Sequence, residues 1–219
     1  MRSVWSPIVE LRQYMLRPGQ RDVLIDLFDA ELVETQEDVG MKVIGQFRDL
    51  DHPDKFVWLR GFPDMRARAQ SLAAFYGGPV WKAHREAANA TMVDSDDVLL
   101  LRPARPDSAF ALADERSAPS GFVGATVIPI SGPDEETEIV LRFEESIAPA
   151  IVESGGSILG YFVTEESENT FPSLPVREGE HVFAWFAGFA DRNGLEAQAL
   201  RLEPTSRSLL HGGERKERQ

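Results

Sequence analysis

The sequence contains no cysteine among its 219 residues. This absence excludes disulfides, thiolate metal sites, iron–sulfur clusters and cysteine nucleophiles. No stretch of the sequence approaches the roughly 20 apolar residues that span a bilayer. The first residues, from Met1 to Pro7, lack both the apolar core of a secretory signal and the Arg-rich pattern of a transit peptide. We therefore expect a cytoplasmic protein.

Positive charge is scarce, because 23 Lys and Arg stand against 36 Asp and Glu and give a formal net charge of -13. Such a surface repels phosphate backbones and anionic membranes, so we expect neither nucleic acid nor membranes as partners. The four histidines show no HxH or HExxH spacing, and we expect no metal site and no cofactor. The 42% of hydrophobic residues are enough for a sizeable core.

The chain repeats its own pattern. Residues 44–47 (IGQF) are similar to residues 159–162 (LGYF), a shift of 115 positions from Gly45 to Gly160. Residues 58–64 (WLRGFPD) are similar to residues 185–191 (WFAGFAD), a shift of 127 positions. The larger second shift indicates an insertion in the second hairpin.

Each half has the same predicted order of elements. In the first half we expect strands at 8–16, 41–50, 55–62 and 98–102, and helices at 20–38, from 64 onward and, as an insertion, at 79–92. In the second half we expect strands at 122–131, 157–166, 181–190 and 207–210, and helices at 134–154 and 191–202. The order β-α-β-β-α-β predicts an α+β protein of two tandem ferredoxin-like repeats.

The predicted domain organisation follows from this order. We expect a first repeat at 1–105, a linker rich in Pro, Ala and Ser at 106–120, a second repeat at 121–210 and a disordered tail at 211–219. The loop at 165–180 is long and polar, which is typical of a mobile segment or a lid. Two sheets with helices on one face each can cover one another's bare face. We therefore expect an intrachain pseudo-dimeric α+β barrel with a ligand pocket in its interior.

Strand periodicity places the candidate site residues on the same face of the sheet. Glu10, Arg12 and Tyr14 share one face of the first strand, and Trp58 and Arg60 share one face of the third. We expect this face to line the barrel interior. The repeat-related positions of the second half are apolar, so we expect one site with a polar wall from the first half. Its apolar wall would consist of Val127, Phe183, Trp185 and Phe189.

Arginines suit the binding of a carboxylate or a developing enolate, so Arg12 and Arg60 are candidates for an anion clamp. Tyr14 could donate a hydrogen bond to the substrate, and Glu10 or His84 could move a proton. The alternative is that Glu10 and Arg12 pair with each other, which would lower the pKa of Glu10 and make it a poor base. The candidate substrate-binding residues are Trp58, Phe62, Trp81, Arg85, Val127, Phe183 and Trp185.

Four stretches resemble motifs of the NIPSNAP family. They are residues 10–14 (ELRQY) followed by Pro18-Gly19, residues 60–64 (RGFPD) with Arg68, residues 74–85 (AFYGGPVWKAHR) and residues 99–103 (LLLRP). The resemblance implies the dimeric α+β barrel superfamily, here as tandem copies. Relatives by that fold include cofactor-free monooxygenases, isomerases and haem proteins, so the resemblance does not imply one reaction.

Two functions stay open at this point. The first is a cofactor-independent enzyme, of the monooxygenase or isomerase type, that binds a small, partly aromatic or anionic metabolite in the barrel. The second is a non-catalytic ligand-binding or protein-interaction module of the same fold. Barrels of this superfamily often associate further, so we also expect a homodimer.

Overall fold

Eight strands close into a barrel in the computed structural model, which describes residues 6–113 and 116–213. Neighbouring strands follow the order β1-β3-β2-β8-β5-β7-β6-β4 around the barrel, and all pairs are antiparallel. The strands are β1 (Ile8–Leu16), β2 (Lys42–Asp49), β3 (Lys55–Phe62), β4 (Met92–Pro103), β5 (Phe122–Pro129), β6 (Ser157–Thr164), β7 (Val182–Phe189) and β8 (Leu200–Pro204).

The two halves of the barrel have the same strand order. The first half runs β4-β1-β3-β2 and the second runs β8-β5-β7-β6. The halves meet at two short seams, where Phe47 of β2 lies opposite Pro204 and Leu101 of β4 lies opposite Thr164. Closure leaves neither half with an unpaired sheet edge.

Helices cover the outside of the barrel. The first half carries α1 (Arg21–Leu27), a π-helical turn (Phe28–Leu32), α2 (Val33–Glu37), α3 (Met65–Gly77) and α4 (Pro79–Thr91). The second half carries α5 (Pro133–Arg142), a π-helical turn (Phe143–Ile147), α6 (Ala148–Glu153) and a 3-10 turn (Arg192–Leu195). Asp64 caps α3 by accepting a hydrogen bond from the Ala67 amide at 2.6 Å, and Pro79 begins α4.

The core has three layers. The faces of β1 and β3 point in the direction opposite to the one predicted. Val9, Leu11, Val57 and Leu59 face the barrel interior together with apolar residues of the second half. The opposite face of β1 and β3 packs under the helices of the first half. The prediction that the polar face lines the interior was therefore wrong. The interior of an eight-stranded barrel is just wide enough for its own side chains, which here are apolar, whereas Glu10 on the other face meets Arg68 of α3.

The barrel interior is filled, so the predicted ligand pocket at that place was also wrong. Phe110, from the connecting segment, is 1% exposed and its ring lies 4.7 Å from that of Phe162 and 5.1 Å from that of Phe186. Leu210 enters the same cluster from the C-terminal side. A large aromatic side chain thus takes the space where we expected a ligand.

Most predicted elements are present, but the last two are wrong. The predicted helix at 191–202 is only the 3-10 turn, and the last strand lies at 200–204 rather than 207–210. Asn193 and Gly194 are poor helix formers. Leu202 faces the interior and pairs with Val123, so the need to close the barrel overrides the local preference.

At the C-terminal end, the amide of Gly213 donates to the carbonyl of Ser120 at 3.1 Å. The predicted disorder of the tail concerns 211–219, of which 214–219 lie outside the described residues. Along the part of the chain that is described, no helix has the length and apolar character required to traverse a bilayer.

Candidate functional site: an arginine cluster beneath the helices

Glu10 lies at the centre of the candidate site. One carboxylate oxygen, Oε2, accepts hydrogen bonds from Arg12 Nη1 at 2.8 Å and from Arg60 Nε at 2.7 Å. The other oxygen, Oε1, accepts a hydrogen bond from Arg68 Nε at 2.6 Å. Glu10 and Arg60 are opposite each other in the β1–β3 pair, and Arg68 descends from α3. We call these four residues the arginine cluster.

The arginine cluster carries an excess of buried positive charge. Its three guanidinium groups and one carboxylate have a formal net charge of +2, and none of the four side chains is more than 1% exposed. Burial alone would raise the pKa of Glu10, but the charges of Arg60, Arg12 and Arg68 bring it well below its usual value of 4.5. Burial lowers the pKa of Arg68. Repulsion from Arg60 and Arg12 lowers it further, whereas the attraction of Glu10 raises it without restoring the usual value. The cluster therefore favours a further anion.

Aromatic side chains enclose the guanidinium groups. Arg12 Nε donates to the Tyr14 hydroxyl oxygen at 2.9 Å. The Arg12 and Arg60 guanidinium carbons lie 5.5 and 5.1 Å from the centre of the Trp58 ring. The Tyr76 ring centre is 6.0 Å from the Arg60 guanidinium carbon. These cation–π contacts hold the charges in fixed positions without neutralising them.

Within the first half, sequence reasoning missed Gln36, Arg68 and Tyr76 as site residues. Gln36, from α2, accepts a hydrogen bond from Arg60 Nη1 at 3.2 Å. Arg68 could have been found, because it shares a buried helical face with Leu72 and Phe75 at a spacing of four and seven residues. A charged residue on an apolar helix stripe indicates a buried partner.

The second half of the chain closes the site. Residues 165–181, between β6 and β7, form a loop that reaches over the first half. Arg68 Nη1 donates to Asn169 Oδ1 at 2.9 Å and to Thr170 Oγ1 at 3.2 Å. Phe171 stacks on Tyr76 with ring centres 5.9 Å apart. This loop, which we call the covering loop, is thus part of the site.

Three buried donors at the site have no hydrogen-bond partner among the described residues. They are Trp58 Nε1, Arg60 Nη2 and Arg68 Nη2. A cavity of about 30 Å³ lies beside Trp58 and is also lined by Tyr14, Gln36 and Tyr76, whereas Arg60 and Arg68 do not line it. Such a space holds one or two waters or a small ion. The buried Trp58 donor beside this cavity would be satisfied by a water or by a ligand that accepts a hydrogen bond.

A larger cavity of about 400 Å³ lies under the same loop. It is lined by Leu99 and Leu100 of β4, by Arg177 and His181, and by five glutamates, which are Glu165, Glu166, Glu168, Glu178 and Glu180. Leu100 is directly opposite Glu10 in the β1–β4 pair, but the four residues of the arginine cluster do not line the larger cavity. A space of this volume is within the range of small-molecule sites.

The structure separates several predicted site residues from the cluster. His84 is on α4, one-third exposed, with Nε2 3.6 Å from Glu31 Oε2, and Arg85 on the same helix is exposed. Trp81 does pack beside the site, with its ring centre 5.0 Å from that of Tyr76. Phe62 lies 5.7 Å from the Arg60 guanidinium carbon.

The predicted apolar wall does not form. Phe183, Trp185 and Phe189 pack under the helices of the second half, whereas the half-buried Val127 packs against the cluster of the barrel interior. The wall was predicted on the assumption that both sheets turn the same face inward, and the reversed orientation separates its members from the polar residues. Within 6–113 and 116–213, no group of three or more His, Asp and Glu side chains could hold a metal ion.

The comparisons with known proteins agree with the barrel. Two structures each named "putative monooxygenase" align over nearly the whole chain. The one from Fusobacterium nucleatum is 11% identical over 97% of both chains with a TM-score of 0.58. The one from Lactobacillus acidophilus is 12% identical over 94% of this chain and 98% of that chain, with a TM-score of 0.54. At such identities the likeness shows the fold alone. Curated proteins give no significant match.

The first half of the chain matches a named family. The NIPSNAP family model matches residues 9–106, a range that contains the whole arginine cluster. An uncharacterized NIPSNAP-like domain protein from Burkholderia xenovorans is 30% identical over 44% of this chain and 84% of its own, with a TM-score of 0.41. Residues 9–106 are therefore identified as a NIPSNAP domain.

Proposed function

We propose that this protein binds a small organic anion, a carboxylate or enolate with a flat apolar body, at the arginine cluster, and that the loop at 165–181 moves to admit it, because the cavity of about 30 Å³ beside Trp58 has room only for one or two waters or a small ion. The observation that carries the proposal is the formal charge of +2 that Glu10, Arg12, Arg60 and Arg68 hold in a fully buried place. An uncompensated buried charge costs several kcal/mol, on the order of the binding energy of a metabolite. An anion that accepts hydrogen bonds from Arg60 Nη2, Arg68 Nη2 and Trp58 Nε1 removes that cost.

The same donors suit enolate chemistry without a cofactor. Fixed guanidinium groups in a water-poor site stabilise negative charge as it develops on a carbonyl oxygen. The Tyr14 oxygen accepts from Arg12, which leaves the Tyr14 proton available for the ligand. In an isomerase-type reaction, a proton leaves the carbon next to the carbonyl and returns elsewhere. In an oxygenase-type reaction, an activated methylene group and O₂ give a carbonyl group and water.

The saturation of Glu10 favours a second candidate, a protein that binds the anion without turning it over. Both carboxylate oxygens accept from guanidinium groups, and the lowered pKa makes Glu10 a poor base. His84 contacts Glu31 instead of the cluster. A binding or interaction module needs the arginines and the loop at 165–181, but it needs no base.

The finer architecture belongs to the same proposal. The equal strand orders of the two halves support tandem ferredoxin-like units, one at 1–105 and one at 121–210, joined at 106–120. In this interpretation the first unit keeps the charged site, and the second supplies structural closure and the covering loop. We also propose that the protein acts in the cytoplasm, as a homodimer.

Binding is tested with benzoate and with benzamide, its neutral counterpart. Titrations followed by calorimetry and by tryptophan fluorescence should show saturable benzoate binding and at least about 10-fold weaker benzamide binding, since charged acceptors gain about 1.5–3 kcal/mol. Arg60→Gln should remove benzoate binding and Arg60→Lys should retain part of it. Arg102→Gln, at a half-exposed arginine paired with Glu136, is the matched control. Equal affinities for both probes, or unaltered binding by Arg60→Gln, would refute the proposal.

Turnover separates the two candidates. Aromatic keto acids incubated with the protein in D₂O should take up deuterium next to the carbonyl if the site makes enolates, which NMR detects. Oxygen uptake with activated methylene compounds tests the oxygenase type. Benzoate binding with neither signal selects the binding module.

A further inference from the structure

The covering loop is an insertion that belongs to one half of the chain only. Between β6 and β7 the chain has 17 residues, 165–181, whereas the equivalent turn between β2 and β3 has five, 50–54. The loop does not close over its own half. Phe171, Leu174 and Val176 pack against the helix-side core of the first half.

Asn169 is the best-anchored residue of this loop at the site. Its Oδ1 accepts from Arg68 Nη1 at 2.9 Å and from the Phe171 amide at 3.0 Å. Its Nδ2 donates to the Leu174 carbonyl at 2.9 Å, and its own amide donates to Glu178 Oε1 at 3.2 Å. The side chain is therefore fixed by the turn before it meets Arg68, which is the arrangement of a preorganised support.

The contact decides which way Arg68 points. Arg68 Nε is bound to Glu10, Nη1 is bound to Asn169 and Thr170, and Nη2 stays buried without a partner among the described residues. A planar guanidinium held at two nitrogens has its third nitrogen fixed in direction. Without the loop, Arg68 would keep one contact to Glu10 and could turn.

We propose that Asn169 is a positioning residue, which orients Arg68 so that Nη2 is presented to the anionic group of the ligand. The second half of the chain thereby completes a site whose charges all come from the first half. This inference rests on the proposed anion binding.

The test compares Asn169→Ala with Asn169→Asp, using benzoate as the probe. Asn169→Ala should weaken benzoate binding by about 10-fold, because Arg68 Nη1 loses its hydrogen bond of 2.9 Å and keeps only the longer one of 3.2 Å to Thr170. Asn169→Asp keeps the Oδ acceptor but places a carboxylate on Arg68, so it should weaken benzoate by more than Asn169→Ala while its Tm stays at or above that of Asn169→Ala. Ser173→Ala and Ser173→Asp, at an exposed position of the same loop, control for loop damage and for added charge.

The outcomes separate this inference from the proposed function. A merely structural Asn169 predicts that affinity follows Tm, with the nearly isosteric Asp closer to wild type than Ala in affinity as well as in Tm. That order, or benzoate affinities unchanged by both substitutions, would overturn the positioning role while leaving anion binding intact. Failure of the wild-type protein to bind benzoate would instead refute the proposed function.

Discussion

Replacing Glu10 by Gln removes the carboxylate that holds the arginine cluster together. The side chain accepts three charge-assisted hydrogen bonds of 2.6–2.8 Å and is fully buried. Gln offers one acceptor oxygen, turns an amide group toward guanidinium donors and leaves a formal charge of +3. Removing one partner of a buried ion pair costs about 3–5 kcal/mol.

We therefore expect the free energy of unfolding of Glu10→Gln to fall by about 3–5 kcal/mol and the Tm by roughly 6–20 °C. Urea unfolding followed by circular dichroism gives the first value, and calorimetry gives the second. Glu144→Gln is the matched control, since Glu144 accepts two hydrogen bonds from Arg105 at 2.9 and 3.1 Å but is about one-third exposed. It should lose no more than about 1 kcal/mol. A loss at Glu10 no larger than at Glu144 would refute the electrostatic account of the cluster.

The pH dependence of the stability contributed by Glu10 tests the same electrostatic account. The folded-state pKa of Glu10 is depressed. Burial would raise this pKa, but the charges of Arg60, Arg12 and Arg68 outweigh that effect. Its contribution is therefore fully present above the unfolded-state pKa near 4.5 and is lost as the pH falls from there toward the folded-state pKa. The stability difference between wild type and Glu10→Gln should be constant from pH 7 to about pH 5.5 and shrink below about pH 4.5.

Three further substitutions test other parts of the molecule. Phe110→Ala should lose about 3–5 kcal/mol in urea unfolding and leave benzoate affinity unchanged, because Phe110 fills the barrel interior; altered affinity would place the ligand there. Gly121→Ala should lower the Tm, because Gly121 has φ +66° and an added Cβ would lie 2.3 Å from the Phe189 carbonyl oxygen; an unchanged Tm would contradict this. His84→Ala should bind benzoate within about two-fold of wild type in calorimetry, since His84 contacts Glu31; a ten-fold loss would return it to the site.

The sequence was sufficient to predict most of the architecture. Alternation in β1 and β3, helical spacing before Gly40 and the internal similarity of the halves are local signals, and the structure has the corresponding elements. The two pairs of similar segments have different shifts, which predicted an insertion in the second hairpin, and the structure has the long loop at 165–181 there. Grouping Glu10, Arg12, Tyr14 and Arg60 was also within reach, because residues two apart on a strand share a face.

Which way that face points was decided only by the tertiary structure. Strand periodicity separates two faces but does not tell which one meets helices and which meets the opposite sheet. In the structure the apolar face meets the opposite sheet, and the charged face finds its partner Arg68 on α3. The entry of Arg68 from α3, of Asn169 from the other half and of Phe110 into the interior depends on contacts between residues distant in sequence. No local pattern encodes such contacts, since they exist only once the chain has closed.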